Sequence, residues 1–299
     1  MTKLFPILAL TAVTAMWGST FFMIHNDTLA QMPASDFLAV RFCIAFVAAA
    51  LIWFQDLKRA DRRTWMLGLG LGVIYGFGQL FQTVGLYFTT ASKSGFITAI
   101  YIVLVPVVAL VVFRERFRRL TWLWVVIAGL GLAALSLRGW SFGAGEALTF
   151  LGALCYAMQV AALSVVAPGR SAGALTAMQM LATSLVSLGP ALSDGIQLPQ
   201  TSTVWLQLLY MALLCAVGAV FLQTWAQARM SSTEAALIMS TEPLFATIFA
   251  VIFGGEHLSW RLLIGGTLIM TAIVAAQLTG VRPPEQDLSK QERHNYELN

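Results

Sequence analysis

Ten apolar stretches, each long enough to cross a bilayer, divide this chain of 299 residues. They run at about 4 to 24, 37 to 54, 65 to 88, 94 to 113, 120 to 138, 145 to 165, 173 to 193, 204 to 225, 233 to 254 and 260 to 279. A hydrocarbon core is spanned by roughly 17 to 25 residues of helix. Inside it every backbone amide and carbonyl must be satisfied internally, which a helix does along its own length. Hydrophobic residues make up 58% of the chain and charged residues only 11%, against roughly 25% charged in a soluble domain. The expected fold class is therefore an all-α membrane protein with ten transmembrane helices. The seventh stretch, interrupted by Gly189 and Pro190, is the least regular of them.

Lys3 and the small residues "VTA" at 13 to 15 sketch a cleavable leader, but the apolar character continues through "MWGSTFFMI" and nine more stretches follow. The first stretch is thus expected to be retained as a span. Basic residues favour the cytoplasmic side of short loops. Placing both termini inside puts Lys3, "KRADRR" at 58 to 63, "RERFRR" at 114 to 119, Arg170, Arg229, Arg282, Lys290 and Arg293 there. Only Arg41, Lys93, Arg138 and Arg261 fall near outer ends. The net charge of +4 and a pI near 9.1 are explained by this sidedness, so no nucleic-acid partner is expected. Cys43, Cys155 and Cys215 lie within spans without metal-ligand spacing. The polar segment after "VRPPEQ", residues 282–299, is expected to be a disordered cytoplasmic tail.

The second half repeats the first. "FQT" at 81 to 83 lies on "LQT" at 222 to 224, and Glu115 lies on Glu256 at the same offset of 141. "TW" at 121 meets "SW" at 259 after a three-residue adjustment. At slightly smaller offsets Trp17 and Gly18 fall on Tyr156 and Ala157, and Arg41 falls on Gln179. Five spans is an odd number, so two such units in tandem face opposite ways in the membrane. The expected domains are a first five-helix repeat over 1–139 and a second over 140–281, inverted with respect to each other around a central cavity.

Several longer segments carry a family resemblance: "MWGSTFF", "ASDFLAVRF", "SKSGFITAIYIVLVPVVALVVFRER" and "STEAALIMSTEPLFATIFAVIFGGEHLSW". They resemble the EamA-type drug/metabolite transporters over residues 4 to 279, and within that superfamily the bacterial aromatic amino-acid exporters of the YddG type. The resemblance implies a ten-helix carrier of the bacterial inner membrane that exports amino acids or related metabolites from a cavity between two inverted repeats.

Within "AALIMSTEPLFATIFAVIF" a single acid, Glu242, stands near the middle of the ninth stretch and is followed by Pro243. An ionisable group at the bilayer centre costs about 2.5 to 3.5 kcal/mol on insertion scales, so it turns to a cavity or a partner. Pro243 lacks an N–H and disturbs the preceding turn, which can free a carbonyl near residue 239. Glu242 reads either as a cavity group that binds a substrate amine or exchanges protons, or as a protonated acid bonded to a neighbouring helix.

Helical spacing gathers further polar groups onto shared faces: Tyr75, Gln79 and Gln82 in the third stretch, Gln223 and Gln227 in the eighth, Tyr156 and Gln159 in the sixth, Thr98 and Tyr101 in the fourth, Thr14 and Trp17 in the first. Any one amide can be interhelical glue worth about 0.6 kcal/mol; as a set drawn from both halves they describe a polar, aromatic-walled cavity. The candidate substrate-binding residues are Trp17, Tyr75, Gln79, Gln82, Tyr101, Tyr156, Gln159, Gln223, Gln227 and Glu242. Arg41, about four residues inside the second stretch, is expected to snorkel outward, with pairing to a substrate carboxylate or another helix's acid as the rival. Glu115, between Arg114 and Arg116, reads as local charge pairing, and Glu256 likewise. Gly68, Gly72 and Gly76 recur every four residues and are expected to admit another helix backbone.

Enzyme chemistry finds no support. His25, His257 and His294 fall at stretch ends or in the tail, every Asp lies in or near a loop or the tail, and no glycine-rich phosphate loop occurs. A channel would show charged rings or a filter loop, and a signalling receptor an output domain. The expectation is a monomeric secondary transporter of amino acids, aromatic and apolar ones first, working by alternating access in the export direction. Its partners are the lipid bilayer, a small-molecule substrate and protons as a candidate coupling ion, with no cofactor and no metal. Export of drugs or other small metabolites, or amino-acid import, are the alternatives.

Overall fold

The computed structural model describes residues 4–24, 28–29, 31–89, 91–114, 119–136, 143–192, 195–253 and 260–279. Among these residues the regular structure is helical, with no strand. The first half contributes α1 (Leu4–Gly18), α2 (Thr20–Met23), α3 (Ala34–Ile52), α4 (Phe54–Arg59), α5 (Arg62–Gly85), α6 (Ala91–Ala99), α7 (Tyr101–Phe113) and α8 (Arg119–Ser136). The second contributes α9 (Ala144–Val166), α10 (Ala172–Ala191), α11 (Ser202–Tyr210), a π-helical stretch Met211–Gly218, α12 (Ala219–Gln227), α13 (Ser232–Met239), α14 (Glu242–Phe253) and α15 (Trp260–Thr279). Glu115, Glu256 and the expected tail at 282–299 lie outside the described residues.

Five runs are long and apolar enough to cross a membrane: Ala34–Ile52, Arg62–Gly85, Ala144–Val166, Ala172–Ala191 and Ser202–Gln227. Shorter apolar helices occupy Leu4–Gly18, Ile97–Phe113, Arg119–Gly131 and Leu263–Ala272. The expected ninth span is divided. α13 ends at Met239, and the hydroxyls of Ser240 and Thr241 turn back onto the carbonyls of Leu237 (2.5 Å) and Ile238 (2.8 Å). Such back-bonding competes with the helical ladder. α14 then restarts at Glu242, so Pro243 sits in its first turn, where a missing N–H costs nothing. Pro243 therefore begins a helix rather than bending one. The seventh run, by contrast, continues through Gly189 and Pro190 to Ala191.

Four of the helices, α5, α10, α11 and α13, begin one to three residues before the apolar stretches, where polar caps start them. Asp61 accepts the Thr64 N–H (3.0 Å), Ser171 that of Ala174 (3.2 Å) and Thr201 that of Val204 (3.4 Å). At α13 the exchange is reciprocal: Ser231 Oγ accepts the Glu234 N–H, and Glu234 Oε2 accepts the Ser231 N–H. Each cap satisfies amides that the first turn leaves open.

The packing repeats when the halves are exchanged. α5 lies on α9, and α12 lies on α1; α5 also packs on α10, and the π-helical stretch on α3; α7 touches α9, as α13 and α14 touch α1. α3 with α10, and α8 with α15, are pairs of equivalent helices. The glycine stripe of α5 meets α10 as expected: a Cβ on Gly72 would stand 2.6 Å from the Gln179 Cα, and one on Gly68 2.7 Å from Met178 Sδ. Thr183 Oγ1 donates to the Gly72 carbonyl at 3.0 Å across this contact.

Large apolar side chains cover the outside, among them Leu51 (75% exposed), Val111 and Leu206. Thr14, Gln159, Gln179, Gln223, Gln227 and Glu242 are buried. A polar interior inside an apolar exterior is the distribution that hydrocarbon requires and water does not.

Candidate functional site

The break between α13 and α14 places Glu242 at a helix N-terminus, the end whose unpaired amides favour a carboxylate. Its side chain, 8% exposed, faces a cavity of about 60 Å³ between the halves. Nine of the ten expected residues line that cavity: Trp17, Tyr75, Gln79, Gln82, Tyr101, Tyr156, Gln159, Gln223 and Glu242. Gln227 does not. Its Nε2 donates to the Val160 carbonyl and to Ser164 Oγ, both at 2.9 Å, tying α12 to α9.

Arg41 corrects the sequence reading. It is buried (3% exposed) and lines the cavity instead of reaching outward. Its Nε donates to the Met211 carbonyl at 3.3 Å, and its guanidinium carbon lies 5.0 Å from the Phe42 ring centroid and 5.7 Å from that of Phe37. The residue pattern does not reveal this because the acceptor belongs to the π-helical stretch, where carbonyls leave the α-helical ladder. Cys215, four residues on, likewise gives its carbonyl to Trp17 Nε1 at 2.8 Å. Thr20, Ile24, Thr83, Leu86, Thr98, Val160 and Met239 complete the lining.

The wall follows the repeat. Trp17 answers to Tyr156 and Thr20 to Gln159, each 139 residues apart; Gln82 answers to Gln223, Thr98 to Met239 and Tyr101 to Glu242, each 141 apart. Both members of all five pairs line the cavity. Three tyrosines form one aromatic face, with ring centroids 5.9 Å apart for Tyr75 and Tyr156 and 6.4 Å for Tyr101 and Tyr156.

Two hydrogen-bond chains hold the amides. Tyr156 Oη donates to Gln82 Oε1, and Gln82 Nε2 donates to Thr98 Oγ1, both at 2.8 Å. Gln223 Nε2 donates to Gln159 Oε1 (3.2 Å), and Gln159 Nε2 to Gln179 Oε1 (3.0 Å). Among the lining atoms of the described residues Gln223 Oε1 is left without a partner, and the Tyr101 hydroxyl lies within hydrogen-bonding reach of the Glu242 carboxyl. Buried polar atoms are nearly always paired, so such an orphan in a cavity wall is a place where a guest can bond. No carboxylate among the described residues lies within 4.0 Å of the Arg41 guanidinium. The cavity therefore presents a cation, a carboxyl group, an acceptor and a hydroxyl without internal pairing of the two charges.

The sequence profile of the EamA-like transporter family matches twice, at residues 4–137 and 143–276. The chain belongs to that family. Each match covers one of the halves that the packing exchanges, so the EamA chain is a duplicated one. Two Archaeoglobus fulgidus proteins described as uncharacterized transporters are similar to it. One is 32% identical over 277 residues, covering 92% of this chain and 87% of its own. The other is 25% identical over 286 residues, covering 91% and 96%. A protein of known crystal structure shares the fold, with a TM-score of 0.76 at 17% identity over 92% of this chain and 96% of that one. An EamA transporter with this interior is a multi-pass membrane protein built to move small molecules.

Proposed function

We propose that the protein is a secondary carrier for amino acids, aromatic and apolar ones first, which it exports across a bacterial inner membrane by alternating access. In this reading the helices form ten spans with both termini cytoplasmic, the halves are inverted repeats of five, and one chain suffices. The observation that carries it is Glu242, held at a broken helix in a cavity lined by residues of both halves. Discontinuous helices that meet at the repeat interface are where carriers of this plan bind their cargo.

The chemistry suits an amino acid. A zwitterion leaving water needs fixed partners to replace its hydration shell. Glu242 and Gln223 Oε1 accept from an ammonium group, while Tyr75, Tyr101, Tyr156 and Trp17 offer aromatic surface to the side chain. Substrate binds at these residues, and Pro106, the break at Ser240 and Thr241 just before α14, and the glycines near the cavity serve as hinge points. Protons are the coupling ion in this reading, with Glu242 as the group they visit.

Purified protein in liposomes tests it by counterflow: preloaded unlabelled amino acid should drive uptake of labelled phenylalanine, and the flux should saturate. Thermal shift across all amino acids sets the range. Stabilisation by drug-like or other small metabolites, and by no amino acid, would replace the substrate class while leaving the carrier.

A further inference from the structure

The two ionisable groups of the cavity, Arg41 and Glu242, are not equivalent by repeat. Arg41 belongs to the first half, and the position that answers to it in the second, Gln179, is neutral. Glu242 belongs to the second half, and its counterpart Tyr101 is neutral too. A cavity with pseudo-symmetric walls is thereby given opposite poles, one from each half. Tyr75 and Tyr156 are each within electrostatic reach of both Arg41 and Glu242.

Arg41 is also held in an unfinished state. A guanidinium has five N–H donors in a planar fork that matches a carboxylate. Here the recorded bond engages Nε alone, at 3.3 Å, and two phenylalanine rings lie against the fork. A buried cation without an anion is unusual in a protein interior. The Met211 carbonyl fixes where the guanidinium sits without using up its outer edge. The π-helical stretch supplies that carbonyl only in the second half, since α5, which answers to it, runs unbroken from Arg62 to Gly85.

We infer that Arg41 is the carboxylate anchor of this cavity: a ligand places a carboxylate on the outer edge of the guanidinium while Arg41 keeps its Met211 tether. This rests on the carrier reading above and deepens it, assigning the anionic end of the cargo to α3 and the cationic end to α14. A ligand with both ends bridges the halves, and one that lacks the carboxylate leaves the α3 side unengaged.

Three related probes separate the ends: L-phenylalanine, 3-phenylpropanoate, which lacks the amine, and phenethylamine, which lacks the carboxylate. Binding to the purified full chain is read by thermal shift and by quenching of tryptophan fluorescence. The wild type should bind phenylalanine most tightly. Arg41→Gln should weaken phenylalanine and 3-phenylpropanoate at least tenfold and leave phenethylamine within twofold. Glu242→Gln should do the reverse to phenethylamine and spare 3-phenylpropanoate. Where Arg41→Gln does not fold, Arg41→Lys serves: it keeps the cation, loses the fork, and should weaken both carboxylates several-fold.

Equal carboxylate binding in wild type, Arg41→Gln and Arg41→Lys overturns the assignment, as does a wild type that binds neither carboxylate. If 3-phenylpropanoate binds through Arg41 and no amino acid binds, the assignment stands and the amino-acid reading falls. If phenylalanine binds wild type and Arg41→Gln alike, the amino-acid reading stands and Arg41 only braces α3.

Discussion

Tyr101 and Glu242 occupy the same place in the two halves, 141 residues apart, and each opens the second segment of a broken helix. α6 gives way to α7 at Ile100, and α13 to α14 at Ser240 and Thr241. Both side chains line the cavity, and they lie within interaction range of each other. The two halves thus place a neutral hydroxyl and a carboxyl at paired helix breaks.

Glu242→Gln keeps the size of the side chain and removes its charge. Flux in proteoliposomes should fall at least tenfold, and an imposed pH gradient, which should drive the wild type, should have no effect on what remains. A wild type indifferent to the gradient would remove protons from the account and leave Glu242 with substrate binding alone.

Tyr101→Phe removes a hydroxyl that faces the Glu242 carboxyl. Stability should fall by no more than about 1 kcal/mol, the worth of the one hydrogen bond to Glu242 that is lost. If the hydroxyl bonds substrate, affinity should drop by about 1 kcal/mol, the worth of one ordinary hydrogen bond. Thermal denaturation and ligand titration on one preparation separate the two effects.

Gly72→Ala should destabilise and Gly70→Ala should not. A Cβ on Gly72 meets the backbone of Gln179, which cannot rotate away, whereas none lies within 4 Å of one on Gly70. Overpacking of this kind costs about 1 to 3 kcal/mol. Melting of the two variants in the same detergent gives the comparison.

Asp61 predicts an acid-side loss. Hydrogen bonds from the Thr64 hydroxyl and backbone N–H hold its carboxyl below the ordinary value. The folded value is thus depressed, so the cap stabilises fully above the value of an unfolded aspartate, about 4, and is lost as pH falls through the lower folded value. Asp61→Asn keeps a capping oxygen and should melt with a flatter pH profile than the wild type below pH ~4.

Much of the site was legible because a polar residue in hydrocarbon has few reasons to exist. Gln82, Gln159, Gln223 and Glu242 stood out against apolar neighbours, and the 141-residue offset tied Gln82 to Gln223 before any fold was known. Gln227 meets the same criterion but lies outside the cavity wall, bonded to Val160 and Ser164, since spacing on a helix does not say which neighbour fills the space. Arg41 was misjudged because its partner is a carbonyl released by π-helical geometry in "MALLCAVG", a stretch with no proline or charge to betray it. The interruption near Glu242 was expected from Pro243, but its immediate agents are the hydroxyls of Ser240 and Thr241, whose turn inward depends on the completed helix.

The inverted arrangement of the halves is tested most directly by sidedness. Arg62 and Ser202 begin equivalent helices, α5 and α11, and both are exposed. With Cys43, Cys155 and Cys215 replaced by alanine, cysteine at one or the other position is offered a membrane-impermeant maleimide in right-side-out vesicles. Halves that face opposite ways require Ser202→Cys to be labelled and Arg62→Cys to be protected until the vesicles are opened. Labelling of both from the same side would contradict the account.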